Sequence, residues 1–233
     1  MGAELALVTG ATRGIGRAVA LQLLDRGYRV IASGRDASSL AHLGREAGVR
    51  PLETAVLDID RADVTTQVAS ALSDRPLALL VLNAARFAPW EESVSGADLA
   101  QAERVFATNV FGTWRVLQAA LPAVRRAGGT VIAVGSGSGS HGDPRFGVAA
   151  NPGAASYAAS KAALHALMHK LAAEVGGEGV RVFVTDPGLT ATSPGMEDFG
   201  ARPVADGARS VLAPLDGAVE PGSLTRDGLP LPW

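Results

Sequence analysis

Tyr157 and Lys161, in the stretch SYAASKAAL (156–164), are the residues whose types and spacing most directly promise chemistry. Four positions apart on a helix they fall on one face, so a phenol and an ammonium can approach a common point. Proton transfer at the phenol oxygen, beside a fixed cation, is the chemistry open to such a pair. Both residue types are scarce: the chain has two tyrosines, and of its 21 basic residues only Lys161 and Lys170 are lysines. A chain that uses arginine nearly everywhere else has a reason for a lysine here. The plain alternative is a chance pair on the outside of a surface helix.

A second group of residues is suited to phosphate. VTGATRGIGRAVALQLL follows the first apolar run and opens a helical pattern, with Gly10, Gly14 and Gly16 in a G-x-x-x-G-x-G spacing. Glycines permit a tight turn and close backbone approach, while the helix start offers unpaired N–H groups and partial positive charge to a pyrophosphate. A site for NAD carries an acid about 20 residues further on, bonded to the ribose 2′-hydroxyl. Here the second run ends in Ser-Gly-Arg-Asp, with Arg35 at that point and Arg13 inside the glycine turn. Two guanidiniums can clamp a 2′-phosphate, which predicts NADP(H) in preference to NAD(H). Asp36 is the competing acid, and just before ASSL it can equally cap the next helix.

The elements that must position these groups are legible as an alternation. Six short apolar runs, at 4–9, 28–33, 51–57, 77–83, 129–135 and 180–186, are separated by segments of helical periodicity, the longest covering 97–128. This predicts repeated βαβ units: a three-layer, Rossmann-type, doubly wound parallel sheet in a single domain over 1–233. Loops at 136–153 and 187–203 and a Pro- and Gly-rich tail are the irregular parts, and ligands bind where such loops gather beyond the strand ends. Hydrophobic residues make up 47% and aromatics 5%, so Ala, Val, Leu and Ile must build the interior. The net charge of −2 and the absence of any basic run argue against nucleic acid as partner. With no cysteine, disulfides and thiolate chemistry are excluded. The N-terminus enters a strand-like run within a few residues without a basic leader or a long apolar stretch, which predicts a cytoplasmic protein without a membrane span.

Five motifs in order, VTGATRGIG, LNAA, TNVFG, VGS and YAASK, make the chain resemble the short-chain dehydrogenase/reductase family over nearly its whole length. More narrowly it is similar to the single-domain, NADP-preferring carbonyl reductases, whose chains often end in Pro-Trp as LPLPW does here. The resemblance implies that Tyr157 protonates a carbonyl oxygen, or deprotonates an alcohol, as the nicotinamide gives or takes hydride. It implies that Lys161 also bonds the nicotinamide ribose, a dual task suited to a compact three-donor head. A free phenol, with pKa about 10, is a poor acid–base catalyst near neutrality. Lowering it by about 3 units requires roughly 4 kcal/mol, which one ammonium about 4 Å away supplies at an effective dielectric near 20. Asn109 matches the helix asparagine that holds a water in the proton relay, and Ser136 the serine that bonds the substrate oxygen. Gly135 stands where the family has the first serine of a pair, and Ser138 and Ser140 follow close behind as competitors for the role.

For the cofactor the resemblance implies Gly10, Thr12, Arg13, Gly14, Ile15 and Gly16 in the turn, Arg35 after the second strand, and Asp58 with Ile59 at the adenine. It adds Asn83, Ala84 and Ala85 in place of Asn-Ala-Gly, then Tyr157 and Lys161, then Pro187, Gly188, Thr190 and Thr192 against the nicotinamide and pyrophosphate. A positive φ at Ala85 would cost alanine about 1 kcal/mol. Members pair as dimers or tetramers through the long helix and the Tyr-bearing helix. Ser136 stands 21 residues before Tyr157, where the simplest members have a gap of about a dozen, and an insertion there can obstruct that face, as in some monomeric carbonyl reductases, so monomer, homodimer and homotetramer stay open. His165 and His169 have metal-ligand spacing, but no third ligand is near in sequence and no metal is expected. Phe87, Trp90, Phe146 and Phe199 fall in loops at the active edge, either lining an apolar substrate pocket or packing the loops. The expected activity is NADP(H)-dependent hydride transfer to or from a small to medium apolar ketone, aldehyde or alcohol. A non-catalytic NADP(H)-binding sensor is the alternative. A nucleotide-sugar epimerase would need a larger C-terminal region and an acid after the second strand, and the chain shows neither.

Overall fold

Apolar runs too continuous for a half-solvated sheet form the centre of the molecule. In the computed structural model, which describes residues 2–217 and 219–232, β1 (Leu5–Val8), β4 (Leu79–Leu82) and β5 (Thr130–Val134) are buried at every position. Only strands covered on both faces can be so uniformly apolar. They are flanked by β2 (Arg29–Gly34), β3 (Leu52–Val56) and β6 (Arg181–Thr185). Two strands come from the tail, β7 (Leu224–Arg226) and β8 (Leu229–Pro230), giving the order β3-β2-β1-β4-β5-β6-β7-β8. All neighbours are parallel except β7 and β8.

Alternate residues of each strand serve opposite faces. Leu7, Ile31, Leu80 and Val131 enter one core with α3 (Val64–Leu72), α5 (Thr113–Ala127) and α6 (Ala155–Val175). Val8, Val30, Val81 and Ile132 enter the other with α1 (Gly14–Asp25), α2 (Ala37–Ala47) and α7 (Val204–Leu212). The sheet is thus the middle of three layers, doubly wound as expected. Its order runs outward from β1 to β3, then returns to β4 on the other side of β1. At that reversal the carboxyl ends of the strands leave a crevice open between diverging connections.

Two departures from the expected elements bear on the site. The tail, expected to be irregular, adds β7 to the edge of β6 and turns back through Asp227 and Gly228, both at positive φ, as a two-residue hairpin requires. Trp233, the last residue of the Pro-Trp tail, lies outside the described residues. The single long helix expected over 97–128 is three pieces: α4 (Leu99–Phe106), a π-helical stretch Ala107–Gly112, and α5. A π stretch inserts one residue per turn and commonly marks a functional position. Here it carries Asn109.

Helix α6, which bears Tyr157 and Lys161, is fixed at its start from the β4–α4 connection. Glu92 is buried, and its Oε2 accepts both the backbone N–H and the hydroxyl of Ser156 at 2.7 Å. The carboxylate satisfies first-turn donors and meets the positive end of the helix dipole. Backbone bonds from Ala154 N to Trp90 O and from Ala155 N to Glu92 O, each 3.2 Å, tie the same connection down. Glu92→Ala is expected to destabilise the protein by about 1–2 kcal/mol. Thermal denaturation should then show a Tm lower by about 2–8 °C, with Glu92→Gln in between because its amide oxygen accepts without the charge.

Candidate active site

The crevice at the strand reversal is a cleft of about 580 Å³, within the usual range for a cofactor site. Its floor is the glycine turn between β1 and α1. A Cβ on Gly16 would lie 2.3 Å from both Gly10 O and Asn83 Nδ2, so only glycine lets the turn close against β4. Asn83 holds it there, Nδ2 donating to Thr9 O at 2.9 Å and to Gly10 O at 3.2 Å, while Thr9 Oγ1 accepts the N–H groups of Asn83 and Ala84. No side chain caps the first turn of α1, which leaves those amides for a ligand in the cleft.

Most of the expected cofactor residues line this one cleft. Gly10, Thr12, Arg13, Gly14, Ile15 and Gly16 come from the turn, and Arg35 from the end of β2. Asp58 and Ile59 follow β3, Asn83 to Ala85 follow β4, and Tyr157, Lys161, Pro187 and Thr192 close the far end. Arg13 and Arg35 stand exposed at the rim. Asp36 is turned away to cap α2: its Oδ1 accepts Ser39 N at 2.7 Å and Ser38 Oγ at 2.8 Å, and these bonds draw its pKa down to about 2. Ala85 is not at positive φ, so alanine carries no strain there. Gly188 and Thr190 line a smaller adjoining pocket of about 90 Å³ instead. The Thr190 hydroxyl bonds back to Pro187 O and Gly188 O, so it shapes its own turn and is not offered to the cleft.

Tyr157 and Lys161 meet where the cleft and the smaller pocket join, both buried and on one face of α6. Lys161 Nζ donates to Val134 O at 2.7 Å and stands 5.6 Å from the centre of the Tyr157 ring. The Ser136 side chain stands close enough to the Tyr157 hydroxyl to favour its ionised form. Ser140 is diverted to the tail, its Oγ donating to Pro232 O at 2.5 Å, while Ser138 lines the small pocket beside Ser136. Phe87 stacks on the Tyr157 ring at 4.7 Å and 21°. Trp90 and Phe146 also line the small pocket, whereas Phe199 is 77% exposed and takes no part.

The electrostatics correct the expectation of an acidified phenol. Burial raises the Tyr157 pKa above its ordinary value; the Ser136 side chain opposes this, and the charge of Asp186 adds to it. Lys161 is pushed down to about 8, again chiefly by burial. Loss of hydration penalises both charged forms, and the ammonium is engaged by a carbonyl, so its attraction for a phenolate does not prevail. The phenol therefore keeps its proton through neutral pH.

A sequence model of short chain dehydrogenases matches residues 4–200. The chain belongs to that family. It is 38% identical over 213 residues to an uncharacterized oxidoreductase of Myxococcus xanthus, covering 83% of this chain and 76% of that protein. The solved structure of NADPH-bound carbonyl reductase from chicken fatty liver superposes with a TM-score of 0.86 at 25% identity, over 100% of both chains. A carbonyl reductase of Pseudomonas aeruginosa matches with a TM-score of 0.82 at 28% identity, over 99% of this chain and 100% of that one. The protein is thus an oxidoreductase of the short-chain dehydrogenase family, whose members bind nicotinamide cofactors. Among its described residues no helix is long and apolar enough to cross a membrane.

Some residues that shape the site stand otherwise than their motifs imply, and others carry no obvious sequence signal. Asn109 does not face the cleft: its Oδ1 accepts Arg86 N at 2.8 Å, and its Nδ2 donates to Arg86 O and Ser160 Oγ, each at 2.9 Å. The amide is spent joining the π-helical stretch, the β4–α4 connection and α6. Asp186 and Arg226, on either side of the small pocket, were not expected; the acid closes an apolar run and the arginine lies in the tail. His165, noted only for its spacing to His169, lies one turn after Lys161, fully buried. Burial, with the Lys161 charge, holds its pKa down to about 3, so its neutral ring accepts Ser136 N–H at Nε2 over 3.3 Å.

That ring also explains Gly135. A Cβ there would lie 2.6 Å from His165 Nε2 and 2.5 Å from Val184 Cγ1, so the histidine occupies the volume that a serine side chain would need. Gly135→Ala is expected to destabilise the protein by about 1–3 kcal/mol through overpacking. Chemical denaturation should show it, and His165→Ala in the same chain should recover part of the loss if the two residues share one space.

Proposed function

We propose that the chain is an NADP(H)-dependent oxidoreductase acting on a small to medium apolar ketone or aldehyde, or on the corresponding alcohol. The observation that carries this reading is the place of Tyr157: a protonated phenol, beside Ser136, at the junction between a dinucleotide-sized cleft and a pocket walled by Phe87, Trp90 and Phe146. The uncapped start of α1 suits a pyrophosphate, and Lys161, with one N–H given to Val134 O, has two more for ribose hydroxyls. Arg13 and Arg35 at the rim suit a 2′-phosphate, and Asp36, committed to its helix, does not compete for the ribose. NADPH is also what the chicken carbonyl reductase structure is described as holding.

The cofactor, when bound, supplies or accepts the hydride. As negative charge develops on the carbonyl oxygen, Tyr157 donates its proton, and its raised pKa still lies below that of an alkoxide, so the transfer runs downhill. Ser136 donates to the same oxygen and holds it against the phenol. Lys161 keeps a positive charge behind the phenolate that results. In the oxidation direction these steps reverse, and rate rises with pH as the phenol is deprotonated.

Purified protein with a panel of apolar ketones and aldehydes should consume NADPH. Tyr157→Phe is expected to lower kcat by 10²-fold or more, on the order of a lost general acid, while NADPH affinity changes by less than about threefold. Retained turnover would remove Tyr157 from its role, and NADPH binding without turnover on any carbonyl would favour a sensor. Replacing Arg13 and Arg35 together by alanine is expected to weaken NADPH by about 10- to 100-fold and leave NADH affinity nearly unchanged.

A further inference from the structure

The small pocket has one charged pair that proton transfer does not use. Arg226, at the end of β7, donates from Nε to Asp186 Oδ2 at 2.9 Å and from Nη2 to the same oxygen at 2.5 Å and to Asp143 Oδ2 at 2.8 Å. The two carboxylates are almost fully enclosed, and the guanidinium is about a quarter exposed. Each acid in turn organises a loop of the active edge. Asp186 Oδ2 accepts Gly137 N at 3.0 Å, next to Ser136, and its Oδ1 accepts Gly188 N at 2.8 Å. Asp143 Oδ1 accepts Arg145 N at 2.9 Å and Phe146 N at 2.8 Å, which sets the turn that brings Phe146 to the pocket. One side chain of the C-terminal hairpin thereby gathers the loops after β5 and after β6.

The arrangement is also electrical. Asp186 acts through space on both members of the α6 pair, opposing charge on the Tyr157 oxygen and favouring it on Lys161. The other ionisable groups around this centre have engagements of their own. Arg202 is paired with Asp227, Arg86 with Asp60, Glu92 is held at the start of α6, and His165 is uncharged. Asp186 is therefore the carboxylate that bears on the phenol, and Arg226 is the cation in contact with it.

We propose that Arg226 is a positioning residue for proton transfer: by holding Asp186 and Asp143 together it fixes the loop carrying Ser136 and Phe146, and by pairing with Asp186 it limits how strongly that carboxylate opposes negative charge on the Tyr157 oxygen. The proposal rests on Tyr157 as the proton carrier. Removing the guanidinium leaves a buried, uncompensated acid near the phenol, and the phenolate becomes harder to form.

The pH dependence of kcat/KM for carbonyl reduction is the test, with the ultraviolet absorbance of tyrosinate as a second reading. Of the chain's two tyrosines only Tyr28 need be replaced by Phe to isolate Tyr157. Arg226→Gln is expected to move the Tyr157 limb upward by about one pH unit. Arg226→Lys should return the limb to its wild-type position. Asp186→Asn, which leaves Arg226 on Asp143, should move it downward. If Arg226→Gln does not fold, the Asp186→Asn and Arg226→Lys profiles decide the matter. A limb that stays at its wild-type position in Arg226→Gln and in Asp186→Asn, with kcat merely lowered, would reduce Arg226 to a structural brace and overturn the proposal. Should the wild type reduce no carbonyl, the preceding functional reading fails, while the tyrosinate titration still decides this one.

Discussion

Enclosure of the Tyr157 hydroxyl is the constraint on which the rest of the site turns. A phenol removed from water holds its proton more tightly, and a neighbouring ammonium removed from the same water is itself weakened as a charge. Whatever acidity the site needs must then come from fixed groups that prefer the phenolate, and each has a definite source. Ser136 stands beside the oxygen, Lys161 stands on the same helix, and Arg226 pairs with the carboxylate that works against them. The site is built so that small changes in these three move the proton affinity in either direction.

Such a centre is useful only if α6 is held in register with the strands, and polar ties across the active edge do this. Glu92 caps the helix from the β4–α4 connection, and Asn109 binds that connection to α6 through Arg86 and Ser160. Lys161 reaches the end of β5 at Val134 O, and His165 reaches the loop just beyond it at Ser136 N. Four contacts therefore converge on the ten residues from Ser156 to His165 of one helix. Each buries polar atoms that would be costly unpaired, so the ties enforce a single arrangement of the site more strictly than apolar packing would.

The parts of this fold that announce themselves in sequence are those whose physics is local. The central strands β1, β4 and β5 are visible because a strand covered on both faces must be apolar throughout, and the glycine turn because backbone approach at Gly16 tolerates no side chain. The hairpin of β7 and β8 is hidden because its strands are short and lie among prolines and glycines, although Asp227-Gly228 is a recognised turn signal. The break in the long helix is hidden for a different reason. Asn109 is an ordinary helix residue until its amide finds Arg86, a partner 23 positions away that no periodicity reveals. The same holds for Arg226, whose two acids lie 40 and 83 positions distant.

The arithmetic for the Tyr–Lys pair fails on a related point and shows what sequence alone withholds. Spacing on a helix fixes that two side chains share a face, but the sign of the resulting pKa shift depends on how much water each retains. At an effective dielectric near 20, attraction of roughly 4 kcal/mol between the charges would have sufficed. That figure treats the ions as already formed. Forming a phenolate in an enclosed site has its own cost, set by Phe87 stacked over the ring and by the loops beyond β5 and β6. Those groups come from three separate segments of the chain. The acidity of one hydroxyl is thus a property of the assembled edge, which is why a charge on the C-terminal hairpin can tune a residue in the middle of α6.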